Sequence, residues 1–194
     1  MSTRKKPKKL YKIQSSDIHK RGVFSTAFIP KGTKILEYVG EKITKAESDR
    51  RALEREEKGR KNGSGLVYIF ELNQRYDIDG NVSYNHAKYI NHSCEPNAEA
   101  ECIRGHIWII ATRDIEPGEE LSYDYGYDMD EFLDHPCLCG SDSCIGYIVR
   151  KDLRWRVKKF LKKKEDAKKK EEAAAKPKET PQEEVVAEPE AALA

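Results

Sequence analysis

Three stretches of the chain decide its fold: Asn91-His92-Ser93-Cys94, Glu120-Leu121-Ser122-Tyr123-Asp124-Tyr125 and Cys137-Leu138-Cys139-Gly140-Ser141-Asp142-Ser143-Cys144. Three of the five cysteines lie in the last stretch, spaced C-x-C-x4-C, and a fourth closes the first stretch. Thiolates are preferred ligands of structural zinc, and two cysteines separated by one residue do not easily close a disulfide. The spacing therefore favours a metal site over a cluster of reduced, unligated thiols.

The order of these stretches resembles the SET-domain protein lysine methyltransferases that carry a zinc-binding post-SET segment, and the resemblance covers roughly residues 12–149. It implies a mostly β fold with short helices, the SET fold, in which several small sheets accompany a C-terminal pseudoknot and the post-SET zinc segment. In that family the cysteine of the N-H-S-C motif completes the zinc site. The resemblance therefore implies one structural zinc ion bound by Cys94, Cys137, Cys139 and Cys144.

The resemblance also implies a site for S-adenosyl-L-methionine, the cosubstrate of the family. The segment Lys20-Arg21-Gly22-Val23-Phe24 is similar to the family's entrance loop, but it has one glycine where many members have two. Taken alone, His92 would be read as a core histidine and Tyr68 as an ordinary strand residue. The residues implied to bind the cofactor are Arg21, Gly22, Val23, Tyr68, Asn91, His92, Tyr125 and Leu138.

The reacting centre is expected to be lined by aromatic side chains. Tyr125 matches the family's catalytic tyrosine, Tyr38 matches a channel tyrosine and Phe70 matches a channel wall. Tyr123 matches the position at which Phe or Tyr decides how many methyl groups fit, and a tyrosine there implies mainly mono-methylation. Methyl transfer requires a neutral lysine amine, but lysine is protonated at neutral pH because its reference pKa is ~10.4. A dry channel disfavours the ammonium form, so such a channel is needed rather than a strong base. Taken singly, each of these tyrosines could instead be a core residue with no functional role.

The formal net charge of +2 hides a strong segregation along the chain. Residues 1–22 carry a net charge of +7, residues 23–149 carry −9, residues 150–176 carry +8 and residues 177–194 carry −4. An acidic domain attracts a basic substrate through its summed field, which favours a histone or another basic protein as the lysine-bearing partner. Ordinary surface charge explains the same numbers equally well.

The chain divides into five predicted segments. Thr44 and Glu47 form a capping box that predicts the start of a helix within the domain. The segments are a basic flexible arm over 1–10, a SET domain over 11–127 with a helical insert at about 44–60, a post-SET zinc segment over 134–150, a charged helix or extension over 151–176 and a disordered tail over 177–194.

Neither a membrane helix nor a secretory signal is expected, because no apolar run approaches ~20 residues and no apolar segment follows the basic N-terminus. A soluble intracellular protein is predicted. The compact chain resembles stand-alone bacterial SET proteins, which implies a cytoplasmic location, or a host nucleus if the protein is exported.

Two competing functions are left open by the sequence. The chain could be a catalytically silent SET module that binds protein or nucleic acid through its basic arms, although the matches at Asn91, His92 and Tyr125 argue against this. Alternatively, the basic arms, Arg4–Lys9 and Lys158–Lys170, could make this chiefly a DNA-binding protein, because they could contact nucleic acid non-specifically by neutralising phosphates. No element that would read bases is visible in the sequence.

Overall fold

The computed structural model describes residues 9–62, 68–130 and 132–175. In this part of the chain ten short strands and two α-helices are connected by turns and three single-turn 3-10 helices. The elements are β1 (Tyr11–Ser15), β2 (Arg21–Ser25), β3 (Lys34–Tyr38), β4 (Glu41–Thr44), α1 (Lys45–Asn62), β5 (Ile69–Glu71), β6 (Tyr76–Asp79), β7 (Asn91–His92), β8 (Ala98–Ile103), β9 (His106–Ala111), β10 (Glu120–Tyr123) and α2 (Arg154–Ala175).

The strands form three small sheets, as a mostly β fold with short helices predicts. Their strand orders are β1-β2-β10-β7, β3-β9-β8 and β4-β6-β5. Neighbouring strands are antiparallel except for β7 and β10, which are parallel. A parallel pair cannot be closed by a tight turn, and here the 27 residues between His92 and Glu120 hold β8 and β9. Helix α1 packs beside β4 and β6 of the third sheet, whose strand β5 carries Phe70, whereas Tyr38 ends β3 of the second sheet.

The hydrophobic core lies among the first two sheets and extends to the aromatic residues implied to be functional. Val23, Ile29, Ile109 and Leu121 are completely buried. Each such side chain stabilises the fold by roughly 1.5–3 kcal/mol relative to an exposed one. Tyr38 and Tyr123 belong to the same buried cluster, with exposed fractions of 3% and 8%. The core therefore fixes the position of these two rings.

Helix α1 begins where the capping box predicts and reaches Asn62, close to the expected end of the helical insert. The Glu47 backbone N–H donates to the Thr44 hydroxyl over 3.3 Å. The helix is anchored mainly by charge, because Arg51 and Arg55 both donate to the buried carboxylate of Asp79.

The C-terminal part of the first compact unit is a hairpin-like segment that carries the post-SET cysteines. Cys137 and Ile148 donate backbone N–H groups to Gly146 and His135, and Arg150 donates to the Tyr127 carbonyl. This unit reaches Trp155, and the residues from Arg156 onward belong to a second unit. Residues 1–8 of the basic arm predicted over 1–10, and the tail predicted to be disordered over 177–194, lie outside the described residues. Neither α1 nor α2 is both long and apolar enough to cross a membrane.

Candidate active site and metal centre

The candidate site is organised by the parallel pairing of β7 with β10. Ser122 is in register with Asn91, and Tyr123 is in register with His92. All four of these residues are buried. The pairing brings two motifs that lie far apart in sequence side by side, which is what the predicted pseudoknot requires.

Asn91 ties three segments together at one end of this pair. Its Nδ2 donates to the Arg21 carbonyl over 3.0 Å, to Glu120 Oε1 over 2.7 Å and to Ser16 Oγ over 3.1 Å. The same Glu120 carboxylate accepts from the Ser16 hydroxyl. The entrance loop is therefore fixed to β7 and β10 through one buried amide.

The single glycine of the entrance loop has a structural explanation. A Cβ on Gly22 would lie 2.2 Å from Glu120 Oε1 and 2.9 Å from the Phe24 ring. The Glu120 carboxylate occupies the space that a side chain at position 22 would take, so any larger residue would displace it. The next residue, Val23, has a fully buried side chain, so only its backbone is available to a cofactor.

His92 connects the cofactor motif with the catalytic motif and the cysteines. Its Nδ1 accepts the backbone N–H of Tyr125 over 3.1 Å, so the ring proton is on Nε2. This Nε2 lies 3.6 Å from the Cys94 sulfur. Burial lowers the pKa of His92 to about 4 despite the nearby Asp124 carboxylate, so the imidazole is neutral near pH 7.

The four aromatic residues predicted to form the reacting centre lie in one row. Ring centroids are 4.6 Å apart between Tyr38 and Phe70, 5.6 Å between Phe70 and Tyr123, and 5.0 Å between Tyr123 and Tyr125. Tyr127 extends this row, with its ring 5.8 Å from that of Tyr125. The sequence reasoning missed Tyr127, although the spacing Tyr125-Gly126-Tyr127 was available as a signal.

Two hydroxyl groups of the row donate to backbone carbonyls. Tyr125 donates to the Ile90 carbonyl over 2.9 Å, and Tyr38 donates to the Tyr68 carbonyl over 3.0 Å. Burial raises the pKa of Tyr125 and Tyr38, and raises that of Tyr123 well above its ordinary value. These hydroxyls therefore stay neutral at pH 7. They can orient a substrate by hydrogen bonding but cannot serve as phenolate bases.

Around the entrance loop, two cations stack on aromatic rings. The Arg21 guanidinium lies 5.1 Å from the centroid of Tyr89, and the Lys88 ammonium lies 5.3 Å from the same ring. Lys88 is also 5.9 Å from the ring of Tyr68. Arg21 and Tyr68, which were predicted to bind the cofactor, are thus linked through Lys88 and Tyr89.

The four predicted metal ligands converge. The sulfur atoms of Cys94, Cys137, Cys139 and Cys144 all lie within 4.8 Å of one another. The distance between the Cys94 and Cys137 sulfurs is 3.9 Å. Four thiolates at ~2.3 Å from a tetrahedral zinc ion would be roughly 3.8 Å apart, so the donor set fits this metal. The fifth cysteine, Cys102, is exposed on β8 and is not part of the cluster.

Backbone N–H groups are directed at the sulfurs. Cys94 donates to the Cys139 sulfur and Gly146 donates to the Cys144 sulfur, each over 3.4 Å. Burial works against the Cys139 thiolate, but hydrogen bonds from Ser141 and the Cys94 N–H outweigh it and lower the pKa of Cys139 to about 6. Burial raises the pKa of Cys94 to about 11. A bound dication would offset the cost of placing such thiolates together.

Two further residues lie next to the candidate metal ligands. Leu138, predicted to contact the cofactor, is 67% exposed between two candidate ligands. Arg154 was not singled out by the sequence, yet its buried guanidinium donates to the Cys94 carbonyl and to Asp124 Oδ2, each over 2.7 Å. Its position within a run of basic residues gave no signal of this role.

Comparison with known proteins agrees with this geometry. The sequence profile described as the SET domain matches residues 20–126. Similar proteins include those described as "Histone-lysine N-methyltransferase, H3 lysine-4 specific" from Emericella nidulans, Schizosaccharomyces pombe and Saccharomyces cerevisiae. They are 39%, 39% and 36% identical over 150, 145 and 154 residues, which cover 74%, 73% and 76% of this chain. The same alignments cover 12%, 15% and 14% of those proteins, so the chain spans a small part of their length.

Proposed function

Because the chain belongs to the SET domain family, we propose that it transfers a methyl group from S-adenosyl-L-methionine to the side-chain amine of a lysine in a protein. The observation that carries this proposal is the placement of Tyr125. Its backbone is bonded to His92 of the N-H-S-C motif and its ring adjoins the row formed by Tyr38, Phe70 and Tyr123. A silent binding module would not need this convergence.

The cofactor would be held where β2, β7 and β10 meet. The candidates are the backbone of Arg21, Gly22 and Val23, the Asn91–His92 segment, and the ring of Tyr68. Leu138 is exposed and would act as a cover over the site. When bound, S-adenosyl-L-methionine supplies a methyl group on a sulfonium centre.

In the proposed reaction the aromatic row receives the lysine side chain. The rings of Tyr38, Phe70 and Tyr123 would contact its methylene stem, since Tyr38 and Tyr123 are buried and Phe70 is partly buried against them. Exclusion of water disfavours the ammonium form, so the amine can lose its proton to solvent before it enters. Transfer then forms the bond from nitrogen to the methyl carbon and breaks the bond from that carbon to sulfur. Tyr125 orients the amine, which is the main contribution a protein can make to this step.

The degree of methylation is proposed to be mainly one methyl group. Tyr123 is buried and its ring is 5.0 Å from that of Tyr125. A hydroxyl at this position occupies space that a methylated amine would need.

The metal is proposed to be a structural zinc ion bound by Cys94, Cys137, Cys139 and Cys144. It would join the hairpin-like segment after Tyr127 to the N-H-S-C motif. Four thiolate ligands leave no open position, so the ion would stabilise the site without taking part in the chemistry.

The substrate is proposed to be a histone or another basic protein. The H3 lysine-4 specific relatives support a histone, and the net charge of −9 over residues 23–149 supports a basic partner. Non-specific nucleic-acid contact through the basic residues of α2 stays a prediction.

Methyl transfer can be measured with radiolabelled S-adenosyl-L-methionine on core histones and on a basic protein extract from bacteria. Wild type is compared with Tyr125→Phe, and Tyr84→Phe is the matched control because Tyr84 is 64% exposed. Label on lysine that is lost only in Tyr125→Phe supports the proposal. A zinc-loaded protein that does not bind S-adenosyl-L-methionine in calorimetry would contradict it and favour a silent module.

A further inference from the structure

Arg154 lies at the junction of three segments that the proposed function uses. Its guanidinium is buried, with 8% of the residue exposed. Nη1 donates to the Cys94 carbonyl over 2.7 Å, Nη2 donates to Asp124 Oδ2 over 2.7 Å, and Nε donates to the Val149 carbonyl over 3.0 Å. Each bond reaches a different segment: the N-H-S-C motif, the Tyr125 motif and the segment after the cysteines.

We propose that Arg154 is a positioning residue for Tyr125. This inference rests on the proposed function, because positioning matters for catalysis only if Tyr125 orients the substrate. Arg154 acts through Asp124 and holds the Tyr125 loop against the turn that carries Cys94. The residues after the cysteine cluster thereby become part of the active-site support.

Hydrogen bonds connect Arg154 to the backbone on both sides of Tyr125. Asp124 Oδ1 accepts the Gly126 backbone N–H over 3.0 Å, while Oδ2 accepts from Arg154. The Tyr125 N–H between these two anchors donates to His92 Nδ1 over 3.1 Å. Gly126 has φ +69°, a left-handed conformation that the chain adopts readily only at glycine. Without Arg154 the Asp124 carboxylate would lose its buried cation, and the turn at Gly126 would be held less firmly.

The role requires arginine rather than any cation. A guanidinium presents a planar fork with several N–H groups, which here reach two carbonyls and one carboxylate at once. A lysine ammonium at the same place could keep the ion pair with Asp124 but could not span all three acceptors. The Arg154→Lys variant should therefore keep part of the wild-type activity. The Arg154→Gln variant, whose side chain carries no charge, should keep less.

A purely structural role would have a different signature. If Arg154 only stabilised the fold, its loss would lower the zinc content and the melting temperature, and enzyme that stayed folded and zinc-loaded would keep its kcat. If it positions Tyr125, kcat falls in fully zinc-loaded protein while KM for the substrate changes little.

The test compares Arg154→Gln and Arg154→Lys with Arg150→Gln in the full chain. Arg150 is the matched control, because its half-exposed side chain pairs with the exposed Asp152 in the same segment. For a histone H3 peptide, Arg154→Gln is expected to lower kcat by about tenfold to a hundredfold with KM within about twofold, as misplacement of a catalytic group does. Arg154→Lys should recover part of kcat, and Arg150→Gln should match wild type.

Hydrogen exchange provides a readout independent of activity. In Arg154→Gln, backbone amides in 122–128 and 92–96 should exchange faster than in wild type, whereas Arg150→Gln should leave them unchanged. If wild type methylates none of the substrates, the proposed function fails, and exchange alone then decides whether Arg154 holds the loop. Unchanged exchange in these segments, or a loss of kcat that added zinc fully reverses, would overturn the inference.

Discussion

The backbone N–H of Tyr125 donates to Nδ1 of His92, and this single bond joins the proposed catalytic residue to the motif that carries Cys94 of the four-cysteine cluster. It fixes the imidazole as the Nε2–H tautomer, which directs that proton at the Cys94 sulfur 3.6 Å away. A hydrogen bond to a metal-binding thiolate both orients the ligand and stabilises its charge. The three motifs that define the chain are therefore joined by hydrogen bonds, and we expect a change at the cysteines to affect Tyr125.

Cysteine substitutions test the metal centre. Replacing Cys94, Cys137, Cys139 or Cys144 with serine should reduce bound zinc from one ion per chain and lower methyl transfer, since three remaining thiolates bind zinc less tightly. Cys102→Ser is the control, because Cys102 lies outside the cluster. Zinc is measured by plasma mass spectrometry. Full zinc content in Cys94→Ser would show that the upstream cysteine is not a ligand.

Gly22→Ala tests how the entrance loop is supported. The new methyl group would meet Glu120 Oε1 at 2.2 Å, so the carboxylate must swing away and leave Asn91 without that acceptor. We expect S-adenosyl-L-methionine to bind about tenfold more weakly in calorimetry, corresponding to the loss of roughly 1.4 kcal/mol, the size of one net hydrogen bond.

Glycine at position 105 supplies the control for that experiment. Gly105→Ala adds a methyl group in a hairpin turn where nothing lies within 4 Å, and it should leave cofactor affinity unchanged while costing some stability because φ is +81°. Equal cofactor affinity in wild type and Gly22→Ala would show that the Glu120–Asn91 contact does not support the cofactor site.

Sequence reasoning succeeded where short motifs and hydrophobic patterns dictate local structure. The apolar run Ile107–Ala111 has the length and composition of a buried strand and lies in β9, and the capping box correctly placed the start of α1. The convergence of the four cysteines was obtained from the resemblance, because no local pattern reveals that Cys94 meets residues more than 40 positions later.

The contacts that sequence reasoning missed depend on tertiary packing of single polar groups. Arg154 sits in a run of basic residues and becomes buried only because carbonyls of two other segments and Asp124 surround it. The need for glycine at position 22 likewise follows from Glu120, almost a hundred residues away. Such pairings have no periodicity, so composition and spacing cannot predict them.

Tyr123→Phe should change the product of the proposed reaction. Removing the buried hydroxyl leaves room beside Tyr125 for an amine that already carries a methyl group. Mass spectrometry of a histone H3 peptide should therefore show di-methyl lysine in the variant, where wild type gives mainly mono-methyl lysine. The ring-preserving change keeps the aromatic contacts with Phe70 and Tyr125, and an unchanged product ratio would exclude Tyr123 as the residue that limits methylation.

Asp79 should make the fold sensitive to acid. Burial alone would raise the pKa of this carboxyl, but hydrogen bonds from Arg55, Arg51 and the Asn81 backbone N–H outweigh it and lower the pKa to about 2. A carboxyl whose pKa is lower in the folded than in the unfolded protein binds fewer protons when folded. Its stabilisation is thus complete above about pH 4 and is lost as the pH falls toward 2, with a size of about 2 kcal/mol.

Asp79→Asn separates this contribution from other acid effects, including loss of zinc. The difference in free energy of unfolding between wild type and the variant, measured by urea titration, should be largest above pH 4 and should shrink by about 2 kcal/mol between pH 4 and pH 2. Asp49→Asn, on the exposed face of α1, is the control variant. A gap between wild type and Asp79→Asn that stays constant from pH 6 to pH 2 would mean that the two arginines do not lower the pKa of Asp79. In that case α1 would be held to β6 by contacts other than this ion pair.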